Sequence, residues 1–208
     1  MNYNLDFLQN FDGNMHPRDI KISDLINVIE KHVSQFRYFY SSKSKLFTDF
    51  NIELRNDNIP HLLGLSKNHN PNLPTYRPNL IISNLKNNWD LDYLISTDNG
   101  WFSENQDKLV GILMLYQLLH IQNCKVFTTQ NIINTVYGNR FKRDKIYFVI
   151  HTNPTNKSYT IELSKKENSQ NTFFPKSLKI NDTQISRCSE FDLSFVRRER
   201  LNEQRKRW

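Results

Sequence analysis

The sequence predicts a mixed α+β fold, with N-terminal helices packed on a C-terminal antiparallel β-sheet of about four strands. Three observations predict it. Apolar residues recur at helical spacing over residues 22–33, and the run at 109–121 is apolar nearly all round, as in a core helix. Four segments of the second half, 124–128, 145–151, 157–163 and 171–174, read as strands. Between two of them, Asn153-Pro154-Thr155-Asn156 carries the residues of a hairpin turn.

Taken in order, residues 1–21 have weak periodicity and form a lead-in segment. Ile22, Leu25, Ile26, Ile29 and Val33 then mark a helix, with Ser23 as its cap. Residues 35–40 are rich in aromatics and read as a strand; Phe50, Ile52 and Leu54 alternate in a second one over 46–54. Pro60 suits the first turn of a short helix carrying His61, Leu62 and Leu63 and ended by Gly64. Pro71, Pro74 and Pro78 among asparagines make 66–79 an exposed loop, with short helices following at 79–87 and 90–96. Ser103 with Gln106 resembles a capping box for a helix over 104–121. A further helix is expected at 129–137, ending at Gly138. Phe191, Leu193 and Phe195 alternate as a strand before a basic helix or tail. The domain therefore spans 22–180, and 181–208 forms a basic C-terminal segment.

A chain of 208 residues can bury a core without disulfide staples. Asparagine occurs 27 times and alanine not at all, but aromatic and branched apolar residues recur throughout, which marks a globular chain. The net charge of +7 points to polyanions, nucleic acid first, although basic chains also occur without an anionic ligand. Residues 196–208 hold six basic and two acidic side chains, so much of the excess sits there. Cys124 and Cys188 match no metal or redox spacing and read as thiols of a reducing compartment. No signal peptide is visible and the run at 109–121 is too short to span a bilayer, so a soluble, cytoplasmic protein without a membrane partner is expected. There is no Walker loop, dinucleotide fingerprint or nucleophile elbow, no paired acidic spacing and no His-x-x-x-His, so neither metal nor cofactor is expected.

Polar residues at unusual positions supply the candidate site. His61 at a helix start can move a proton to or from a ribose oxygen, or satisfy backbone groups at a turn. Lys108 falls within the apolar arc of its helix, where it can neutralise a phosphate or snorkel from the core edge. Lys176 and Ser177, just beyond a Phe-Phe-Pro strand end, can hold a phosphate or simply form a loop. Arg140, Lys142, Arg143 and Lys145, with Phe141 among them, suit the RNA backbone or a solvated face, as do Arg197 and Arg198 near the C-terminus. His151 is an alternative acid/base.

The stretch Ile59-Pro60-His61-Leu62-Leu63-Gly64-Leu65, then Lys108, Phe141-Lys142-Arg143-Asp144-Lys145 and Phe174-Pro175-Lys176-Ser177-Leu178, resembles the phage- and mobile-element-borne branch of the barnase–EndoU–colicin–RelE (BECR) ribonuclease superfamily, over roughly residues 22–180. The resemblance implies helices followed by an antiparallel sheet of about four strands. It also implies metal-independent cleavage of tRNA or other RNA by 2′-hydroxyl attack, giving 2′,3′-cyclic phosphate ends. His61 would then be the acid/base, Lys108 the phosphate electrophile and Ser177 the phosphate ligand, with Lys142, Arg143, Lys145, Lys176, Arg197 and Arg198 on the RNA. Such a chain would be a toxin or mobile-element effector, partnered by an antitoxin or a host defence protein. The alternative is a catalytically inactive module of the same kind that binds RNA or a protein, such as an inhibitor of a defence system. A regulator binding DNA through the C-terminal segment is disfavoured, because no helix-turn-helix pattern is present.

Overall fold

Alternation along each strand sorts the side chains onto two faces, and the strands of the described residues join a single sheet. The computed structural model describes residues 3–42, 49–71, 73–75, 77–129, 145–167, 169 and 171–201. In chain order the elements are helices α1 (Leu5–Asn10) and α2 (Ile22–His32), strands β1 (Phe36–Ser42) and β2 (Phe50–Leu54), and helices α3 (Ile59–Leu62), α4 (Pro78–Asn87), α5 (Leu91–Thr97), α6 (Asn99–Leu113) and α7 (Leu115–Leu119). Strands β3 (Cys124–Thr128), β4 (Lys145–Thr152), β5 (Lys157–Lys165), β6 (Thr172–Ile180), β7 (Ser189–Glu190) and β8 (Leu193–Arg200) follow. The helix expected at 129–137 lies outside the described residues but for its first position.

The sheet has eight strands in the order β7-β3-β4-β5-β6-β2-β1-β8. Its pairs are antiparallel except β2 with β6, which run parallel through Asn51↔Thr172 and Ile52↔Phe173. This corrects the expected four-stranded antiparallel sheet, although the class remains α+β. β1 and β2, from the first half of the chain, insert between β6 and β8, while residues 189–200 add β7 and β8. Periodicity fixes which face a residue takes but not which strand becomes its neighbour. Tyr38, Tyr40, Phe50 and Ile52 are all buried, and they share one core with the C-terminal strands.

β7 and β8 stand at opposite ends of that order, yet only Phe191 and Asp192 separate them. Seven strand spacings would put the edges of a flat sheet about 34 Å apart, whereas the link from Glu190 to Leu193 reaches about 10 Å. The sheet is therefore curled into a half-barrel. The aromatic rings agree: Tyr40 on β1 and Phe148 on β4, four strands away, have centroids 5.4 Å apart.

The concave face closes on α6 and α7, where every residue from Leu109 to Leu119 is buried. The Tyr40 hydroxyl donates to the Leu119 carbonyl at 2.7 Å, tying β1 to the end of α7. Gly111 is the point of closest approach: a Cβ there would meet Leu178 of β6 at 2.8 Å and Tyr159 of β5 at 3.0 Å. Gln117, a polar residue on this buried helix, donates to the carbonyls of Leu8 and Phe11. α6 starts earlier than the Ser103/Gln106 pattern suggests. Asp98 caps it, accepting from the Trp101 amide at 3.0 Å, and the added turn buries Trp101 and Phe102.

The expected Pro60 helix forms as α3, and Gly64 ends it with φ of +76°, the left-handed conformation that favours glycine. β6 differs from its expectation. It runs through Pro175 to Ile180, so Lys176 and Ser177 lie within a strand and not beyond its end. The register opposite Glu162 and Leu163 slips there, with Leu163↔Pro175 but Glu162↔Ser177, and Lys176 is the extra residue. Such a bulge accommodates a proline that cannot donate to the ladder.

Candidate nucleic-acid interface

On the convex face, alternation turns polar side chains outward from between apolar ones. Ile161 and Leu163 point to the core, and Glu162 between them points the other way, only 3 % exposed. Its carboxylate meets Lys145 of β4 at 2.7 Å, Lys179 of β6 at 3.0 Å and Lys176 at 4.0 Å. The Ser177 hydroxyl donates to it at 3.4 Å. Burial pushes the Glu162 carboxyl up, but hydrogen bonds and charge from Lys145 and Lys179 outweigh it and hold the carboxyl below its ordinary range. Burial pulls the Lys179 ammonium down, and Glu162 and Asp182 more than reverse that. Asp182 accepts from Lys179 at 3.1 Å, so three lysines here face two carboxylates.

A second cluster repeats the first. Glu53 of β2, between Ile52 and Leu54, is 5 % exposed and is bound by Arg37 of β1, by Lys166 at 3.0 Å and by Arg55 at 3.5 Å. Burial raises its carboxyl, and Arg37 and Lys166 override this to bring it down to about 2. Beyond Arg37 on the same face, Phe39 carries the Arg197 guanidinium of β8 over its ring at 4.4 Å. The cations of both clusters are a third to half exposed, so their carboxylates orient them without hiding them from solvent. Among the described residues, Arg37 Nε, Asn51 Oδ1 and Thr160 Oγ1 are buried on this face without a hydrogen-bond partner.

The sequence-predicted residues divide between two places. Lys145, Lys176 and Ser177 converge on Glu162. Arg197 is exposed on the same convex face, at the Phe39 end. Arg198, the next residue, turns inward; its guanidinium lies over Phe36 at 4.5 Å and donates to the His32 carbonyl, so it serves the packing of β8. Lys142 and Arg143, with Arg140, lie outside the described residues. His151 is exposed at the end of β4.

His61 and Lys108 belong to the corner where α3 meets α6. The Lys108 ammonium lies against Gly64, three residues after His61, 3.0 Å from where a Cβ would stand. Burial lowers the pKa of Lys108, and nearby Lys67 lowers it further against a weaker pull from Glu104. Among the described residues no carboxylate forms an ion pair with it. His61 is exposed, with Nδ1 at 3.3 Å from the Ser66 hydroxyl. Ser177 does not join them. Its neighbour Leu178 packs on Gly111 of α6, so the Ser177 hydroxyl and the helix bearing Lys108 are on opposite faces of β6.

Sequence reasoning missed Glu53, Glu162, Lys166 and Lys179. A signal was available: Asn51-Ile52-Glu53-Leu54 and Thr160-Ile161-Glu162-Leu163 share an Ile-Glu-Leu core, each placing a carboxylate within an apolar strand. A charge at such a position is retained when partners surround it. Among the described residues no three His, Cys, Asp or Glu side chains cluster as metal ligands would, and no helix is long and apolar enough to cross a membrane. Comparison with protein-family models, curated proteins and solved structures gives no match.

Proposed function

We propose that the chain binds RNA along the convex face of its half-barrel. The observation that supports this reading is the pair of buried carboxylates, each ringed by three cations that stay partly exposed. A lysine held in place by a carboxylate has already lost much of its rotamer freedom, so contact with a phosphate costs less entropy. The excess of cations in each ring and the net charge of +7 favour a polyanion over a neutral partner. The test is the affinity of labelled RNA measured against salt. Lys176→Ala removes the cation farthest from Glu162, and the slope of log affinity against log salt should become shallower by about 0.7 for a single strand. An affinity indifferent to salt, or to Lys176 and Lys179 substitutions together, overturns the reading.

A second reading, a metal-independent endoribonuclease, draws on one observation: the half-buried Lys108 ammonium beside the His61 helix, with no carboxylate partner among the described residues. His61 would take the 2′-hydroxyl proton and Lys108 would neutralise the phosphate; Ser177 has no part in this arrangement. The chain would then cleave RNA in EDTA, leave 2′,3′-cyclic ends, and lose this activity in His61→Ala and Lys108→Met. A toxin or effector role, opposed by an antitoxin or directed at a host defence protein, belongs to this reading. Intact RNA after prolonged incubation rejects cleavage and leaves the binding reading untouched.

A further inference from the structure

We infer that the convex face selects single-stranded RNA, and that Arg197 lying on Phe39 is its base-stacking plate. This rests on the RNA-binding reading and adds the class of RNA. Phe39 sits between Asn51 of β2 and Arg197 of β8 in the sheet register, two residues along β1 from Arg37. Two residues of strand are about 7 Å, comparable with the step between successive phosphates of an extended strand. A phosphate at the Arg37, Arg55 and Lys166 cations around Glu53 would therefore leave its neighbouring base beside Phe39.

The geometry of the plate suits that base. The guanidinium of Arg197 covers the Phe39 ring at 4.4 Å, and its Nε donates to Glu199 at 2.9 Å, which fixes the plane of the group. The Arg197 side chain is 59 % exposed, so its outer surface is open to a ligand. Unstacked bases pack on aromatic rings and on guanidinium planes, whereas the bases of a duplex are stacked on one another and out of reach. The charges around Glu162 and Glu53 grip any phosphate backbone, and the plate is the element that can tell a free base from a paired one.

The test measures binding of the full chain to a short poly(U) strand, to an RNA duplex, and to the same strand lacking its bases. Arg197→Lys keeps the charge and removes the plane, and Phe39→Leu keeps the apolar volume and removes the ring. Each variant should bind poly(U) roughly tenfold more weakly, with affinity for the duplex and the base-free strand unchanged. Unchanged poly(U) affinity in both variants, or an equal loss on all three ligands, overturns the plate. Wild-type protein that binds none of the three overturns the RNA-binding reading itself, whereas equal wild-type affinity for duplex and single strand overturns the selectivity alone.

Discussion

Ile161 and Glu162 are adjacent in sequence and almost equally hidden, at 0 % and 3 % exposed, but by different physics. The concave face hides its side chains by removing apolar area from water around α6 and α7. The convex face hides two carboxylates by surrounding each with cations. One face holds the barrel together whatever the pH. The other is organised by charge, and its stability must follow charge. The difference separates stability stored in apolar burial from stability that depends on ionisation.

The largest effect should come from the concave face. Phe148→Ala removes a fully buried ring packed edge-on against Tyr40, and should cost about 3–5 kcal/mol in urea denaturation. That loss should be the same at mildly acid and neutral pH. Equal cost for Phe148→Ala and for a convex substitution would erase the distinction between the faces.

Glu53→Gln comes next, at about 2 kcal/mol, below the cost of breaking a fully buried pair because Arg37, Arg55 and Lys166 stay partly solvated. Its pH dependence follows from the depressed carboxyl. A folded-state pKa of about 2 against an ordinary 4.5 means that the contribution is present above 4.5 and is lost as pH falls towards 2. Acid titration of stability in the wild type should therefore be steeper through that window than in Glu53→Gln. Parallel curves would show that the ring of cations does not hold the carboxylate.

Much of the fold was legible in the sequence and its assembly was not. Pro60 and Gly64 mark the helix ends they were expected to mark, and β3 has its expected bounds at Cys124–Thr128, whereas Pro78, expected in the loop, opens α4. Pro175 misled, because a bulge lets β6 pass through a proline that reads as a stop. The strand order was hidden, because the pairing of β2 with β6 joins residues about 120 apart and depends on how the core closes. The candidate site shows the same limit. Lys145, Lys176 and Ser177 stand out as cations and a hydroxyl, but they come from two strands that flank β5. The carboxylate that gathers them looks, in sequence, like an ordinary polar step in an alternating strand. His61 and Lys108 were brought to one corner by Gly64, whose missing Cβ lets the ammonium approach.

The smallest effect sharpens the contrast from the other side. Lys108 is half-buried, and among the described residues no carboxylate forms an ion pair with it. Lys108→Met should therefore raise stability by about 1 kcal/mol, where loss of a paired convex lysine should not. A destabilised Lys108→Met would point to a partner for this ammonium and place it with the paired lysines.

Binding of RNA on the convex face is tested most directly by lysine acetylation mapped by mass spectrometry, with and without RNA. Lys145, Lys166, Lys176 and Lys179 should lose reactivity when RNA is bound, while Lys21, Lys31 and Lys67, on the helical side, should react as before. Protection at Lys67 and Lys108 with the four convex lysines unchanged would contradict the account and move the site to the α3–α6 corner.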